Sequence, residues 1–393
     1  MAKIGFIISS LFSIGGEERV VSTIANELSE YHDITIYTYE NRRAEGGRKN
    51  NYPLSAKIRV EELAAPSENI FWHYIKVLYN ITGMTSGPIS RYLLKKAFYP
   101  EEYLEGWAER INREKFDLMI AISGVNTILL GYIKDRISAK CIGWEHSSFE
   151  GYFDPKAGYY RNRMRVYKEC AARLDRIVVI NIDTARKFEE SLGLKPTVIL
   201  NPKSFSSEVK ADVTKKCFVT CGRAEKEKGF DDLIEAFAIF SAKHPDWKLL
   251  IIGGGSLEPK LRQLIEHLHL RDKADITGYT HEVQRYLLEG SVFVMTSRWE
   301  GFSLTTAEAL EMGLPVITYN IPAIGQLVSD GVEGRHVPAF EQDKLVEAME
   351  EMASDEAMRV RMSENAIKKA ASLEPERIAQ QWMTLLKEIE VRK

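Results

Sequence analysis

The chain has 393 residues, of which 45% are hydrophobic and 28% charged, and its formal net charge is −3. That length suits two domains of ordinary size, the composition is that of a soluble globular protein, and the near-neutral balance excludes a general nucleic-acid binder. Four cysteines, Cys141, Cys170, Cys217 and Cys221, are too few and too irregularly spaced for a disulfide framework or a zinc knuckle, so a reducing compartment is expected.

Lys3 is followed by the apolar run Ile4 to Phe12, which enters Gly15-Gly-Glu-Glu-Arg19 without a small-residue cleavage site. It reads as a first buried strand rather than a signal peptide. Strands are predicted at Ile4–Ser10, Asp33–Tyr39, Phe116–Ile122, Lys140–Trp144 and Arg176–Ile180, with helices such as Glu18–Glu30 between them. A second set is predicted at Lys216–Thr220, Trp247–Ile252, Ala274–Thr277, Val292–Thr296 and Pro315–Tyr319. This alternation predicts an α/β chain with two doubly wound parallel sheets. A proline stop in Leu200-Asn-Pro-Lys203 puts the boundary between domains 1–200 and 201–374. The last helix, near Pro375 to Glu388, carries Ile378, Trp382, Leu385 and Leu386 at helical spacing, as an ordinary closing helix of the second domain would. No apolar run reaches the ~18 residues of a spanning helix.

Two stretches of the first half are basic. Phe71 to Tyr79 and Arg91 to Tyr99 combine aromatics with Lys76, Arg91, Lys95 and Lys96, and residues 71–99 contain no acid. Such a surface suits an anionic membrane, although the aromatics equally suit a core with lysines on its outside. The loop with Arg42, Arg43, Arg48 and Lys49 has the same two readings.

The second half carries the clearest chemistry. Lys216 to Phe237 reads as strand, glycine turn, basic loop and helix, with Gly222 and Gly229 around Arg223, Lys226 and Lys228. Arg223 and Lys228 are candidate diphosphate ligands, and charge-assisted bonds to phosphate contribute roughly 1.5–3 kcal/mol each; the alternative is a solvated loop neutralised by Glu225 and Glu227. In Arg298 to Gly313, Ser303 is an N-cap candidate, Leu304 to Met312 are helix formers, and Gly313 with Pro315 is a stop. Glu300 precedes this helix and Glu308 lies a turn inside it, so the pair suits an extended ligand with hydroxyls at both ends and phosphates at the helix start. The alternative puts Glu308 on a solvated helix face.

Gly222-Arg223 with Lys228-Gly229, Ile251-Ile-Gly-Gly-Gly-Ser256, Gly278-Tyr279 and the E-x7-E pair Glu300 and Glu308 together resemble the C-terminal half of retaining glycosyltransferases of family 4, of the bacterial surface-polysaccharide type. Phe12-Ser-Ile-Gly-Gly-Glu-Glu-Arg-Val-Val21 and Gly143-Trp-Glu-His-Ser-Ser-Phe149 resemble that family's N-terminal elements, so the resemblance covers nearly the whole chain. It implies a GT-B fold, two Rossmann-like domains facing a deep interdomain cleft. The first would serve the acceptor, with helix 375–393 packing back onto it, and the second would bind the nucleotide sugar.

The resemblance also implies roles. Glu308 matches the carboxylate on the ribose hydroxyls and Glu300 the one near the donor sugar. The backbone of Gly301, Phe302, Ser303, Leu304 and Thr305, with Arg223 and Lys228, would hold the diphosphate. Gly278 and Tyr279 would recognise the base, expected to be uracil, and Gly15 and Gly16 would let backbone approach the phosphates. His146 would position the transferred sugar, whereas Glu145 beside it reads, apart from the resemblance, simply as a cap of the loop. His146, Glu300, Arg223 and Lys228 form the catalytic set; no cofactor is expected, and the absence of an Asp-x-Asp motif fits metal independence. The expected partners are a nucleoside-diphosphate sugar and a saccharide or lipid-linked acceptor, and the expected location is the cytoplasm, at the inner membrane face. The stretch after Pro322, with Ala323, Ile324 and Gln326, departs from the family's Gly-Pro and acidic pattern. A phosphorylase or hydrolase of the same fold, and a non-catalytic nucleotide-sugar binder, are the alternatives. A dinucleotide oxidoreductase is disfavoured because Glu258 stands where Gly-x-Gly-x-x-Gly needs its last glycine.

Overall fold

Lys3–Ile8, Leu118–Ile122 and Val292–Met295 are apolar on both faces, and strands of that kind are covered on both sides by the helices of a parallel sheet. The computed structural model describes residues 1–39, 51–63, 74, 76, 77, 88–154, 158–160 and 162–389. It divides into two compact units, Met1–Pro202 with Pro375–Lys393, and Lys203–Glu374. Among the described residues no helix is long and apolar enough to cross a membrane.

Unit 1 contains β1 (Lys3–Ile8), β2 (Asp33–Thr38), β3 (Arg59–Glu62), β4 (Leu118–Ile122), β5 (Lys140–Glu145), β6 (Arg176–Val179) and β7 (Thr197–Val198). They form one parallel sheet in the order β3-β2-β1-β4-β5-β6-β7, with Ile4 opposite both Ile34 and Leu118. Unit 2 contains β8 (Cys217–Cys221), β9 (Lys248–Ile252), β10 (Ala274–Ile276), β11 (Val292–Met295), β12 (Val316–Tyr319) and β13 (Gly334–Val337). Its parallel order is β10-β9-β8-β11-β12-β13, with Phe218 opposite Leu249 and Val292. In each unit the chain winds outward from the central strand, then returns to its other side, so a switch point lies between β1 and β4 and between β8 and β11.

The ten predicted strands are present, with ends one or two residues shorter or shifted. Three more, β3, β7 and β13, lie at sheet edges and were not predicted. The helix Pro375–Glu388 belongs to unit 1, where it packs beside the helix Gly16–Ser29. Its apolar stripe is buried, and the Trp382 ring meets that of Trp144 with centroids 4.6 Å apart.

The basic loop Arg42, Arg43, Arg48 and Lys49 lies outside the described residues, as do 71–73, 75 and 78–87 of the aromatic segment. In the described part, the helix Pro88–Phe98 buries Leu94 and Ala97, Lys95 pairs with Glu101 at 3.3 Å, and Tyr92 is exposed.

Candidate active site

Open α/β sheets bind ligands outside the carboxyl ends of their strands at a switch point. In unit 2 the loops after β8 and β11 flank that point. After β8 the chain leans on the loop after β9: the Gly222 N–H donates to the Ile252 carbonyl at 3.0 Å and the Ala224 N–H to that of Gly254 at 2.9 Å. Gly253 has φ +123°, and a Cβ there would run into the Gly222 carbonyl, so this close approach accounts for the glycine run. Gly278 bridges to Gly253 and leaves Tyr279 59% exposed beside Gly254.

The loop then turns through Lys226–Lys228 to Gly229, at φ +62°, where a Cβ would strike the Thr296 carbonyl oxygen. Thr296 Oγ1 in turn donates to the carbonyls of Lys228 at 3.1 Å and Gly229 at 2.8 Å. These contacts bring Lys228 Nζ to 2.6 Å from Glu300 Oε1, which also accepts from Ser297 Oγ at 2.8 Å. The Lys228 and Glu300 side chains are only 16% and 12% exposed, so their attraction is less screened than that of a surface pair. Arg223 differs. Its side chain is 74% exposed and pairs with Glu227 at 3.2 Å, a solvated contact that leaves its charge open to an anion.

The helix Leu304–Glu311 begins at the same point. Ser303 caps it, with its hydroxyl accepting from the Thr306 N–H, and does so at φ +71°, a conformation that costs a non-glycine residue energy and is held by its surroundings. The first-turn amides have no intrahelical acceptors and favour an anion. Glu308 is 3% exposed, so it is not on a solvated face; it lies inside unit 2, where a carboxylate needs polar partners. The far end is anchored by Glu311, whose carboxylate accepts from Lys203 Nζ at 2.5 Å, Lys210 Nζ at 2.6 Å and the Ser207 N–H at 2.8 Å.

Unit 1 builds its switch point from other groups. Gly15 and Gly16 open the first helix, and the Gly15 N–H donates to the Tyr52 hydroxyl at 3.1 Å. Glu17 hydrogen-bonds to the hydroxyl of Ser123, which follows β4 at φ +64°. Burial pushes the Glu17 carboxyl up to about 7, with the Ser123 hydrogen bond opposing and the charges of Glu18 and Glu145 adding to the rise. Glu145 is not a loop cap. It ends β5, is fully buried, and accepts from Thr127 Oγ1 at 2.6 Å and the Tyr167 hydroxyl at 2.8 Å. Burial pushes it up to about 7 against the hydrogen bonds of Thr127, Tyr167 and Tyr152.

His146 follows directly. Its backbone N–H donates to the Tyr152 hydroxyl at 2.9 Å and its ring lies 4.4 Å from that of Trp144. Nε2 is enclosed and has no hydrogen-bond partner among the described residues. Burial pushes its pKa down to about 3, so the imidazole is neutral at pH 7 and suits orienting a hydroxyl better than accepting a proton. Sequence reasoning passed over Glu17 and Ser123. Glu17 stood in a stretch already singled out for its glycines, whereas nothing local marks Ser123.

Residues 203–369, nearly all of unit 2, match the family described as glycosyl transferases group 1. Over 98% of its length the chain is 25% identical to the whole of an uncharacterised glycosyltransferase of Haemophilus influenzae. Over 99% of its length it is 24% identical to 99% of the Campylobacter jejuni GalNAc-alpha-(1->4)-GalNAc-alpha-(1->3)-diNAcBac-PP-undecaprenol alpha-1,4-N-acetyl-D-galactosaminyltransferase. Among solved structures, Anabaena HepE in complex with UDP matches with a TM-score of 0.75 at 17% identity, covering 98% of this chain and 100% of that one. The fold is therefore GT-B, and the protein is a glycosyltransferase.

Proposed function

We propose that the chain is a retaining, metal-independent transferase of family 4 that moves a hexose or N-acetylhexosamine from a nucleoside-diphosphate sugar, with uracil as base, to a saccharide or lipid-linked saccharide in surface-polysaccharide synthesis. The observation that carries this reading is the meeting of Lys228 and Glu300 at 2.6 Å over the switch point of unit 2, beside a helix capped by Ser303. A cation, a carboxylate and a helix start at one place suit a ligand that carries both hydroxyls and phosphates.

Breaking the bond between an anomeric carbon and phosphate leaves negative charge on the diphosphate. In this reading Lys228, Arg223 and the amides from Gly301 to Thr305 stabilise it as it develops, which is where preorganised donors lower a barrier most. Those groups supply positive charge without a metal. Glu300 takes the sugar hydroxyls, Glu308 the ribose, and Gly278 with Tyr279 the base. On the side of unit 1, Gly15 and Gly16 offer backbone without side chains, and neutral His146 orients the transferred sugar. The names of the Campylobacter relative and of an Erwinia amylovora amylovoran biosynthesis glycosyltransferase, 23% identical over 98% of the chain, support a polysaccharide or lipid-linked acceptor. Work at the cytoplasmic membrane face, through the basic segment 71–99, completes the proposal. Loss of binding to anionic vesicles in Lys95→Glu/Lys96→Glu is its test, and unchanged binding removes it.

A thermal-shift screen against UDP, GDP, ADP and their sugar conjugates with EDTA present tests the whole reading, because a ligand of the native state raises the midpoint. A shift with one nucleotide that is lost in Glu308→Ala supports it. No shift with any of them removes it, and a shift that survives Glu308→Ala removes the ribose role.

A further inference from the structure

Arg298 stands two residues before Glu300, and its side chain is 17% exposed. Its backbone N–H donates to the Glu227 carbonyl at 2.7 Å. Its guanidinium donates to the Lys226 carbonyl, to both carboxylate oxygens of Asp231 at 3.1 Å each, and to Asp232 Oδ1 at 3.0 Å. Lys226 and Glu227 directly precede Lys228, while Asp231 and Asp232 lie in the first turn of the helix Phe230–Lys243 that follows it. One residue of the loop after β11 therefore fastens the chain on both sides of Lys228. A planar fork of five donors can serve these acceptors together; an ammonium has three donors on one atom and no such span.

None of these Arg298 bonds is to Lys228 itself. Its side chain extends to Glu300, and its position follows from backbone that Arg298 and Thr296 hold. We propose that Arg298 is a positioning residue: by tying Lys226–Asp232 to the loop of Glu300 it fixes where the Lys228 ammonium stands, and so sets the affinity for a nucleoside diphosphate. The inference rests on the reading of Lys228 as a diphosphate ligand. Arg298 acts through Lys228, so its contribution vanishes when the ammonium is gone.

The test is a double-mutant cycle on the full chain, read by calorimetric titration. UDP, GDP and ADP are first titrated into the wild type, and the nucleotide that binds is then titrated into Arg298→Gln, Arg298→Lys, Lys228→Ala and the double variant Arg298→Gln/Lys228→Ala. Arg298→Gln is expected to raise Kd by about tenfold, the order lost when a ligating group loses its orienting partner, with its far-UV circular dichroism unchanged. Arg298→Lys recovers little of that loss. The double variant binds no more weakly than Lys228→Ala, because the two residues act as one unit. Unchanged affinity in Arg298→Gln, or the same fold-loss with and without Lys228, overturns the proposal. If Arg298→Gln does not fold, Asp231→Asn loosens the same fork from a side chain that is 48% exposed, and an additive loss with Lys228→Ala overturns it equally. A wild type that binds none of the three nucleotides removes the functional reading and this inference together. A wild type that binds one, with Lys228→Ala unaffected, keeps nucleotide binding and removes the inference alone.

Discussion

The two switch points have the same topology and opposite chemistry. In unit 1 the ends of β1, β4 and β5 carry two carboxyls that burial pushes up to about 7, set among hydroxyls, with an imidazole that burial keeps neutral. In unit 2 the ends of β8 and β11 carry the closely paired ions of Lys228 and Glu300, the exposed Arg223 and a capped helix start. Sheet winding thus supplies a place and the loops decide the charge. A site of hydroxyls, a neutral imidazole and carboxyls that titrate near pH 7 suits hydroxyls; a site of full charges and helix amides suits phosphate.

The largest expected effect tests whether the first switch point depends on the end of the chain. Trp382 is fully buried against Trp144, whose ring also meets that of His146. Trp382→Ala is expected to cost ~3–5 kcal/mol in unit 1. Differential scanning calorimetry checks this through a lowered transition for one unit; a thermogram identical to wild type breaks the link. Next, Lys228→Ala is expected to slow nucleotide release from the donor sugar by ~10²–10³-fold, as loss of a donor to a developing anion does. Glu145→Gln should leave nucleotide affinity nearly unchanged. An equal loss of nucleotide affinity in Lys228→Ala and Glu145→Gln would erase the contrast between the units.

Glu145 also provides a pH test. Its folded pKa, about 7, lies above its ordinary value of 4.5, so the stability it contributes is present below 4.5 and lost as pH rises through about 7. Glu145→Gln removes that loss, and relative to wild type its melting temperature should gain between about pH 5 and 8, by a free energy on the order of 3 kcal/mol at most. His146 has the opposite sign: its folded pKa of about 3 is below 6.5, so its contribution is present above 6.5 and lost as pH falls toward 3. Parallel pH curves for wild type and Glu145→Gln would show that Glu145 is ionised throughout. The smallest effect concerns Arg223. Because its pair with Glu227 is solvated, Arg223→Ala should change stability by less than ~0.5 kcal/mol while weakening nucleotide binding in a salt-dependent way. A large fall in ligand-free melting temperature would mean that Arg223 is part of the scaffold.

Legibility in the sequence followed burial. The ten strands read correctly are short runs such as Phe218-Val-Thr220 and Val292-Phe-Val-Met295, mostly buried on both faces. The three unread strands are edges: Arg59–Glu62 has the sequence RVEE, Gly334–Val337 has GRHV, and Thr197–Val198 is two residues long. An edge strand pairs on one side only, so it needs no apolar pattern to announce it. At the site, Ser303 was legible because capping is local. Glu308 had both a solvated and a ligand reading on the page, and only the packing of its helix removed the first.

By itself the sequence determined the alternation of strands and helices, hence two wound parallel sheets, and the residue types that gather after β8 and β11. These follow from periodicity and cap chemistry, which act over a few residues. Only the tertiary structure decided which side chains meet: Lys228 with Glu300 across 72 positions, Glu17 with Ser123 across 106, and Arg298 with the stretch around Lys228. It also decided which carboxyls lose their water, because desolvation at Glu17 and Glu145 is set by neighbours brought in from distant strands and helices rather than by residues beside them in the chain.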